Sequence, residues 1–222
     1  MGVGGNPRGW KQNPEAVKAD ILAAAQEEFA RHGLSRARLQ DIAERTKTSK
    51  RMIFYYFKDK EALYQEVLEN AYRKVREGEC ALDVDNLPPI EALEKLIGFT
   101  FDHHKANPDF VRLVMIENIH DGRHIRQMAE MPHTNKPAVL LLERICQAGI
   151  AQGVFREDVD PLRVHWQISA ASVFNVANEI TFSANFGNNF YTPEGQSWMR
   201  AEVIRTIVLS VLKAGTPIPS PK

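Results

Sequence analysis

The chain has 222 residues, 44% hydrophobic and 25% charged, enough to bury a sizeable core in one large domain or two small ones. Its formal net charge is zero, and its only cysteines, Cys80 and Cys146, form no CxxC pair, which points to buried free thiols rather than a disulfide framework or zinc knuckle. No uninterrupted apolar run is long enough for a membrane span, and the first positions lack the apolar stretch of a secretory signal, so a cytoplasmic protein is expected.

The zero balance hides an asymmetry. Residues 1–60 hold 12 Lys and Arg against 7 Asp and Glu, a surplus of +5, and residues 61–222 hold 16 against 21, a deficit of −5. A basic module joined to an acidic body is one way to meet a polyanion. Strand signals are nearly absent and helical periodicity recurs, so the fold class is all-α with about nine helices.

The first helix begins at Asn13, a cap, with Pro14 at its first position. Val17, Ile21, Leu22, Ala25 and Phe29 form its inward stripe, and Gly33 suits its stop. A short second helix is expected from Leu39 to Thr46. Lys47 and Thr48 form a turn, Ser49 caps, and Lys50–Tyr56 make a third short helix. Asp59 caps a fourth, running from Lys60 to about Glu77, with Gly78 as its end.

A turn-rich connector, "DVDNLPP", follows, and Pro89 opens a helix to about Ala106. Asn107 and Pro108 break it and start another to about His120. The segment "DGRHIRQMAEMPHTNKP" is the least regular part, a mobile loop with room for one short helix. Further helices are expected at about Ala138–Gln152, Pro161–Phe186 and Glu194–Ala214, before a frayed proline-rich tail.

Two short helices joined by a turn of about three residues, the second bearing exposed cations, make a helix-turn-helix. In "KTSKRMIFYYF", Ile53 and Phe57 are four apart and face inward, which leaves Lys50, Arg51, Phe54 and Tyr55 outside. Such a face suits the major groove, where Lys and Arg donate to guanine O6 and N7. Hydroxyls of Thr48, Ser49, Tyr55 and Tyr56 suit phosphate oxygens. Lys60 starts the fourth helix, where free N–H groups and the dipole favour an anion. An isolated cluster of this kind would be an ordinary amphipathic helix; its place in the wider spacing makes it a recognition helix.

That spacing resembles the TetR-type bacterial transcriptional regulators. The resemblance rests on Gly33, Ile42, Ala43, Ser49, Lys50, Phe54, Phe57, Lys60, Glu61 and Leu63, over about residues 14–65. Phe54 stands where tyrosine is usual, Lys47 and Thr48 replace the usual Gly and Val, and Ala37 and Arg38 replace the common Thr-Thr or Thr-Ser, which removes a good cap. The resemblance implies a DNA-binding domain over residues 1–60, with Arg38, Gln40, Thr48, Ser49, Lys50, Arg51, Tyr55, Tyr56 and Lys60 at the duplex. It also implies a helical ligand-binding and dimerisation domain over residues 61–222.

A helix-turn-helix monomer reads one half-site, so a homodimer on a pseudo-palindromic operator is expected. The dimer elements are the last two long helices, with small residues Ser169, Ala170, Ala171, Ser172 and Ala177 and an apolar face of Val203, Ile204, Ile207, Val208, Val211 and Leu212. Effector candidates in the body are Phe99, His103, Phe110, Met115, Asn118, Trp166, Phe174, Asn175, Asn178 and Phe182, each of a type that suits an apolar pocket with a few orienting polar groups. The stretches "HHKANPDFVRLVMIENI" and "GVFREDVDPLRVHW" are similar in part to nucleobase-responsive regulators of pyrimidine use. His120 and His124 are four apart, but Asp121 and Gly122 interrupt a helix between them, so no metal site is assigned. No cofactor is expected. The absence of a nucleophile elbow, phosphate loop or HExxH makes a repressor the expectation, against a helical interaction module or an enzyme of unrecognised motif.

Overall fold

Asn13 opens the first helix as expected, its Oδ1 accepting the Ala16 N–H at 3.2 Å. The computed structural model describes residues 13–129 and 131–217. Ten α-helices run through them: α1 Pro14–Arg36, α2 Leu39–Arg45, α3 Lys50–Phe57, α4 Lys60–Cys80, α5 Pro89–Ala106, α6 Pro108–Ile119, α7 Met131–Ala151, α8 Pro161–Ala177, α9 Glu179–Phe186 and α10 Pro193–Val211. Short 3-10 turns lie at Ile125–Gln127 and Asn189–Tyr191. Extended pairing among the described residues is one bridge, Phe155 with Leu212.

Four expectations are corrected. Gly78 does not end α4, which runs on to Cys80; a Cβ there would overlap the Phe99 ring, so this glycine serves close approach of a side chain. The segment before residue 138 is not loop throughout, because α7 begins at Met131 and carries Pro137 inside it. Proline at a first helical position and proline nearly two turns deeper look alike in sequence. The span 161–186 is two helices, divided at Asn178 (φ −105°, ψ 3°). There the Asn178 amide donates back to the Phe174 carbonyl at 3.4 Å and its own carbonyl accepts from Thr181 Oγ1 at 3.2 Å, side-chain bonds that compete with the helical ladder. Finally, Cys80 is exposed; only Cys146 is buried, and burial, then nearby Asp160, push its thiol up to about 11. Of the frayed tail, residues 218–222 lie outside the described residues.

Gly33 breaks α1 as its type suggests, at φ 65° and ψ 169°, after which the helix resumes for three residues.

The chain forms two compact units. The first takes residues 13–70 and 112–128, the second residues 71–111 and 129–217, so α4 and α6 supply residues to both. In the first, α2 packs on α1 and α3 on α2, around Ile21, Phe29, Ile42, Ile53, Phe57, Leu63 and Tyr64. In the second, α5 packs against α7, α8 and α10, around Leu93, Ile97, Leu142, Phe155, Ile168 and Val208. Burial of such aliphatic and aromatic side chains contributes about 1.5–3 kcal/mol each. Among the described residues no helix is long and apolar enough to cross a membrane.

Candidate nucleic-acid interface and effector site

The recognition helix is built from both ends. Ser49 Oγ accepts the Met52 N–H at 3.3 Å to cap α3. Lys47, in the turn before it, takes the left-handed φ of 51°, and Lys58, just after it, takes φ 62°. Asp59 Oδ1 then caps α4 through the Ala62 N–H at 2.8 Å. Ile53 and Phe57 are 1% and 3% exposed and anchor one face of α3 in the core. The opposite face carries Lys50, Arg51, Phe54 and Tyr55, all exposed, with Tyr55 78% exposed.

The other expected DNA-contact residues surround that face. Ser49, Arg38 and Gln40 are exposed, and Thr48, Tyr56 and Lys60 half-buried. The rings of Tyr55 and Tyr56 meet edge to face, 5.3 Å between centroids. Lys60 Nζ donates to the Ser35 carbonyl at 3.3 Å, tying the start of α4 to the end of α1. Gln40 Nε2 donates to Glu44 Oε1 at 2.6 Å along α2.

Two buried carboxylates hold this frame, and the sequence reading missed both. Glu28, 1% exposed, accepts the Arg38 N–H at 3.1 Å and the Arg45 guanidinium at 3.0 Å. It supplies from α1 the cap that α2 lacks in its own side chains. Glu117, 2% exposed, accepts from the Tyr64 hydroxyl at 2.9 Å, from His124 Nδ1 at 2.9 Å, and from the backbone N–H groups of His124 and Ile125 at 3.1 and 3.2 Å. Burial works to raise its pKa, but the bond from Ile125 and those from His124 and Tyr64 outweigh it and hold the carboxyl below its ordinary value. Asp121 and Gly122, at φ 58° and 65°, turn the chain back so that His124 reaches it. His120 is exposed, so the two histidines face different surroundings. Among the described residues no group of three His, Cys, Asp or Glu side chains could hold a metal ion.

The expected effector residues fall in several places. Met115 and Asn118 are exposed and belong to the first unit. In the second unit, Phe99, His103 and Phe110 come together with His104. Phe99 lies 5.6 Å from His103, and Phe110 5.5 Å from His104, between ring centroids. Burial, joined by the charges of Arg76 and Lys74, lowers the His103 pKa. His104, its Nδ1 2.7 Å from the Thr100 carbonyl, is pushed down to about 4 by burial against the opposing help of that bond. Burial and Arg76 lower His165 as well. Arg76 bonds Glu79 Oε2 through Nη1 at 2.5 Å, and burial raises the Glu79 pKa despite the attraction of Arg76.

Phe174, Asn175 and Phe182 line a separate apolar cavity of about 350 Å³ with Phe190, Trp198 and Met199. Asn175 is buried and exchanges two 3.0 Å hydrogen bonds with Gln196, and Asn178 marks the α8–α9 break. Trp166 lines a second groove of about 330 Å³ beside Gln167 and Glu202.

Several residues expected to face a second copy lie inside instead. Ile207, Val208, Val211 and Leu212 pack in the core of their own unit, and Ser172 is 1% exposed. The apolar groups left outside are Leu162, Trp166 and Phe174 on α8, Ile180 and Phe186 on α9, and Trp198 and Leu209 on α10. Periodicity counts inward and outward apolar faces alike, so the swap is invisible before folding.

Comparison with known proteins gives these geometries a setting. Residues 21–67 match the bacterial regulatory proteins of the tetR family, and residues 89–207 match the tetracyclin repressor-like C-terminal domain. The transcriptional repressor NicS of Pseudomonas putida is 33% identical over 173 residues, 78% of this chain and 82% of that protein. A tetR-family regulatory protein from Rhodococcus RHA1 superposes with TM-score 0.69 at 20% identity, covering 89% of this chain and 98% of that one. The regulator FadR from Bacillus subtilis, solved with stearoyl-CoA, superposes with TM-score 0.66 at 18% identity, covering 86% and 97%. At those identities the two structures speak to the fold alone.

Proposed function

Because this chain belongs to the TetR family of bacterial regulatory proteins, we propose that it is a cytoplasmic repressor, not an enzyme, released from a pseudo-palindromic operator by a small-molecule effector. The observation that carries the reading is the outer face of α3: two cations and two rings exposed on a capped helix whose other face is locked into the core by Ile53 and Phe57. Held in that way, Lys50 and Arg51 reach base edges in the major groove. Ser49, Thr48, Tyr55 and Tyr56 meet phosphate oxygens and fix the register. Lys60 adds a cation at the start of α4, and Arg38, just before α2, and Gln40, on it, flank the groove. Residues 1–60 carry this work, and residues 61–222 bind the effector and a second copy.

The homodimer forms through the exposed apolar groups of α8, α9 and α10. Two copies then present two α3 helices to successive grooves on one side of the duplex. An effector acts only through unequal affinity for the operator-binding conformer and another conformer. NicS is itself named a repressor, which supports the type of regulation.

The test is the double variant Lys50→Ala/Arg51→Ala against a fragment of the protein's own promoter. Loss of selective binding, with the dimer intact by sedimentation, is expected. Unchanged binding would leave a helical interaction module as the better reading.

A further inference from the structure

Arg76 and Glu79 sit one turn apart on α4 with side chains only 11% and 4% exposed. Their bond takes a single guanidinium nitrogen, Nη1. Nε is shut from solvent and has no hydrogen-bond partner among the described residues. A buried charged donor left unpaired is costly, and such groups mark places where something absent from the bare chain belongs. The planar guanidinium fork matches a carboxylate, which can accept from Nε while Glu79 keeps Nη1.

The surroundings narrow the chemistry further. His103, His104 and His165 all lie within the field of Arg76, and burial favours the neutral form of each. They therefore add polar edges without adding competing charge. Phe110 lies against His104 and Phe99 against His103, so the histidines are bordered by aromatic rings, Phe110 buried and Phe99 half-buried. Phe99, His103 and His165 are only partly buried, which brings the cluster to the surface of the second unit.

We propose that the effector is a small aromatic carboxylate whose carboxylate pairs with Arg76 and whose ring lies among Phe99, Phe110 and the histidines. This rests on the reading of the chain as an effector-released repressor and names the class of effector. A neutral amide of the same shape places an N–H donor against the guanidinium and loses the charge pairing, so the site discriminates acid from amide.

The probes are benzoate, phenylacetate and 2-naphthoate, each paired with its amide and added to the full-length protein. Thermal unfolding and operator binding are both read, each variant against its own ligand-free baseline. At least one acid raises the melting temperature and weakens operator binding by about tenfold or more, while its amide does neither. Arg76→Gln and the charge-balanced Arg76→Gln/Glu79→Gln both lose the thermal response; the second guards against misfolding caused by an unpaired Glu79. No response to any acid, equal responses to acid and amide, or a response that survives in the double variant overturns the proposal. Release by neutral compounds alone would also overturn it and leave the repressor reading standing. Absence of operator binding in every state would sink the repressor reading, with the thermal comparison still deciding the carboxylate site.

Discussion

Glu117 shows how much of this fold rests on single polar side chains. Its carboxylate satisfies four donors inside the first unit, and Gln in its place turns one accepting oxygen into a donor that meets N–H groups. Glu117→Gln is expected to lower stability at pH 7 by about 2–3 kcal/mol, measured by urea unfolding. Its folded pKa lies below the ordinary 4.5. The stabilisation is therefore complete above that pH and fades as pH falls through the folded value. The variant flattens that acid limb. His104 acts in the second unit with a different window. Folding lowers its pKa from 6.5 to about 4, so the unfolded chain holds the extra proton between those values. Stability is full above pH 6.5 and declines by about 3 kcal/mol toward pH 4. His104→Asn keeps an N–H for the Thr100 carbonyl and removes this titration, so its stability profile should fall less steeply across that window, with the lowered His103 and His165 accounting for what slope remains. None of these buried polar partners was read from the sequence. Glu28 does stand three residues after Ala25 and seven after Ile21, in the inward register of α1, and Glu79 stands four after Val75. A charge in an inward register is the available signal, but its partners, Arg45 and Arg76, are fixed only by folding.

At the scale of elements, the helix-turn-helix was legible almost residue by residue. Ser49 and Asp59 cap as their types demand, and the four-residue spacing of Ile53 and Phe57 decides which face of α3 is free. The body was less legible because punctuation there is ambiguous: Pro137 sits inside a helix, Gly78 serves packing, and Asn178 divides a continuous helical pattern. Lys47 offers a separate test of the turn. A non-glycine residue at φ 51° is strained, so Lys47→Gly should raise stability by about 0.5 kcal/mol in thermal unfolding. The same change removes a cation next to α3, so it should weaken operator binding and reduce its salt slope by about one. A stabilised protein with weaker DNA binding would separate the turn's electrostatic role from its structural one.

For the whole molecule, zero net charge is the sum of a basic N-terminal part and an acidic remainder, and the first of these is the part proposed to meet DNA. Family and fold class were readable from helical periodicity and one motif. Ile207, Val208 and Val211 of α10, expected at the dimer surface, pack instead in the core of their own unit, and sequence does not separate the two because core and interface are both apolar. Trp166, 70% exposed, and Trp198, 54% exposed, are therefore the residues to probe. Trp166→Glu/Trp198→Glu should yield a folded monomer in sedimentation and lower operator affinity at least tenfold through the lost second half-site. An intact dimer would move the interface elsewhere. Whether paired α3 helices read a duplex through cations and hydroxyls is decided by titrating a promoter fragment at rising salt. Selective binding is expected, with log affinity falling steeply and linearly with log salt concentration; selective binding indifferent to salt, or no selective binding at any salt, would rule such a reading out.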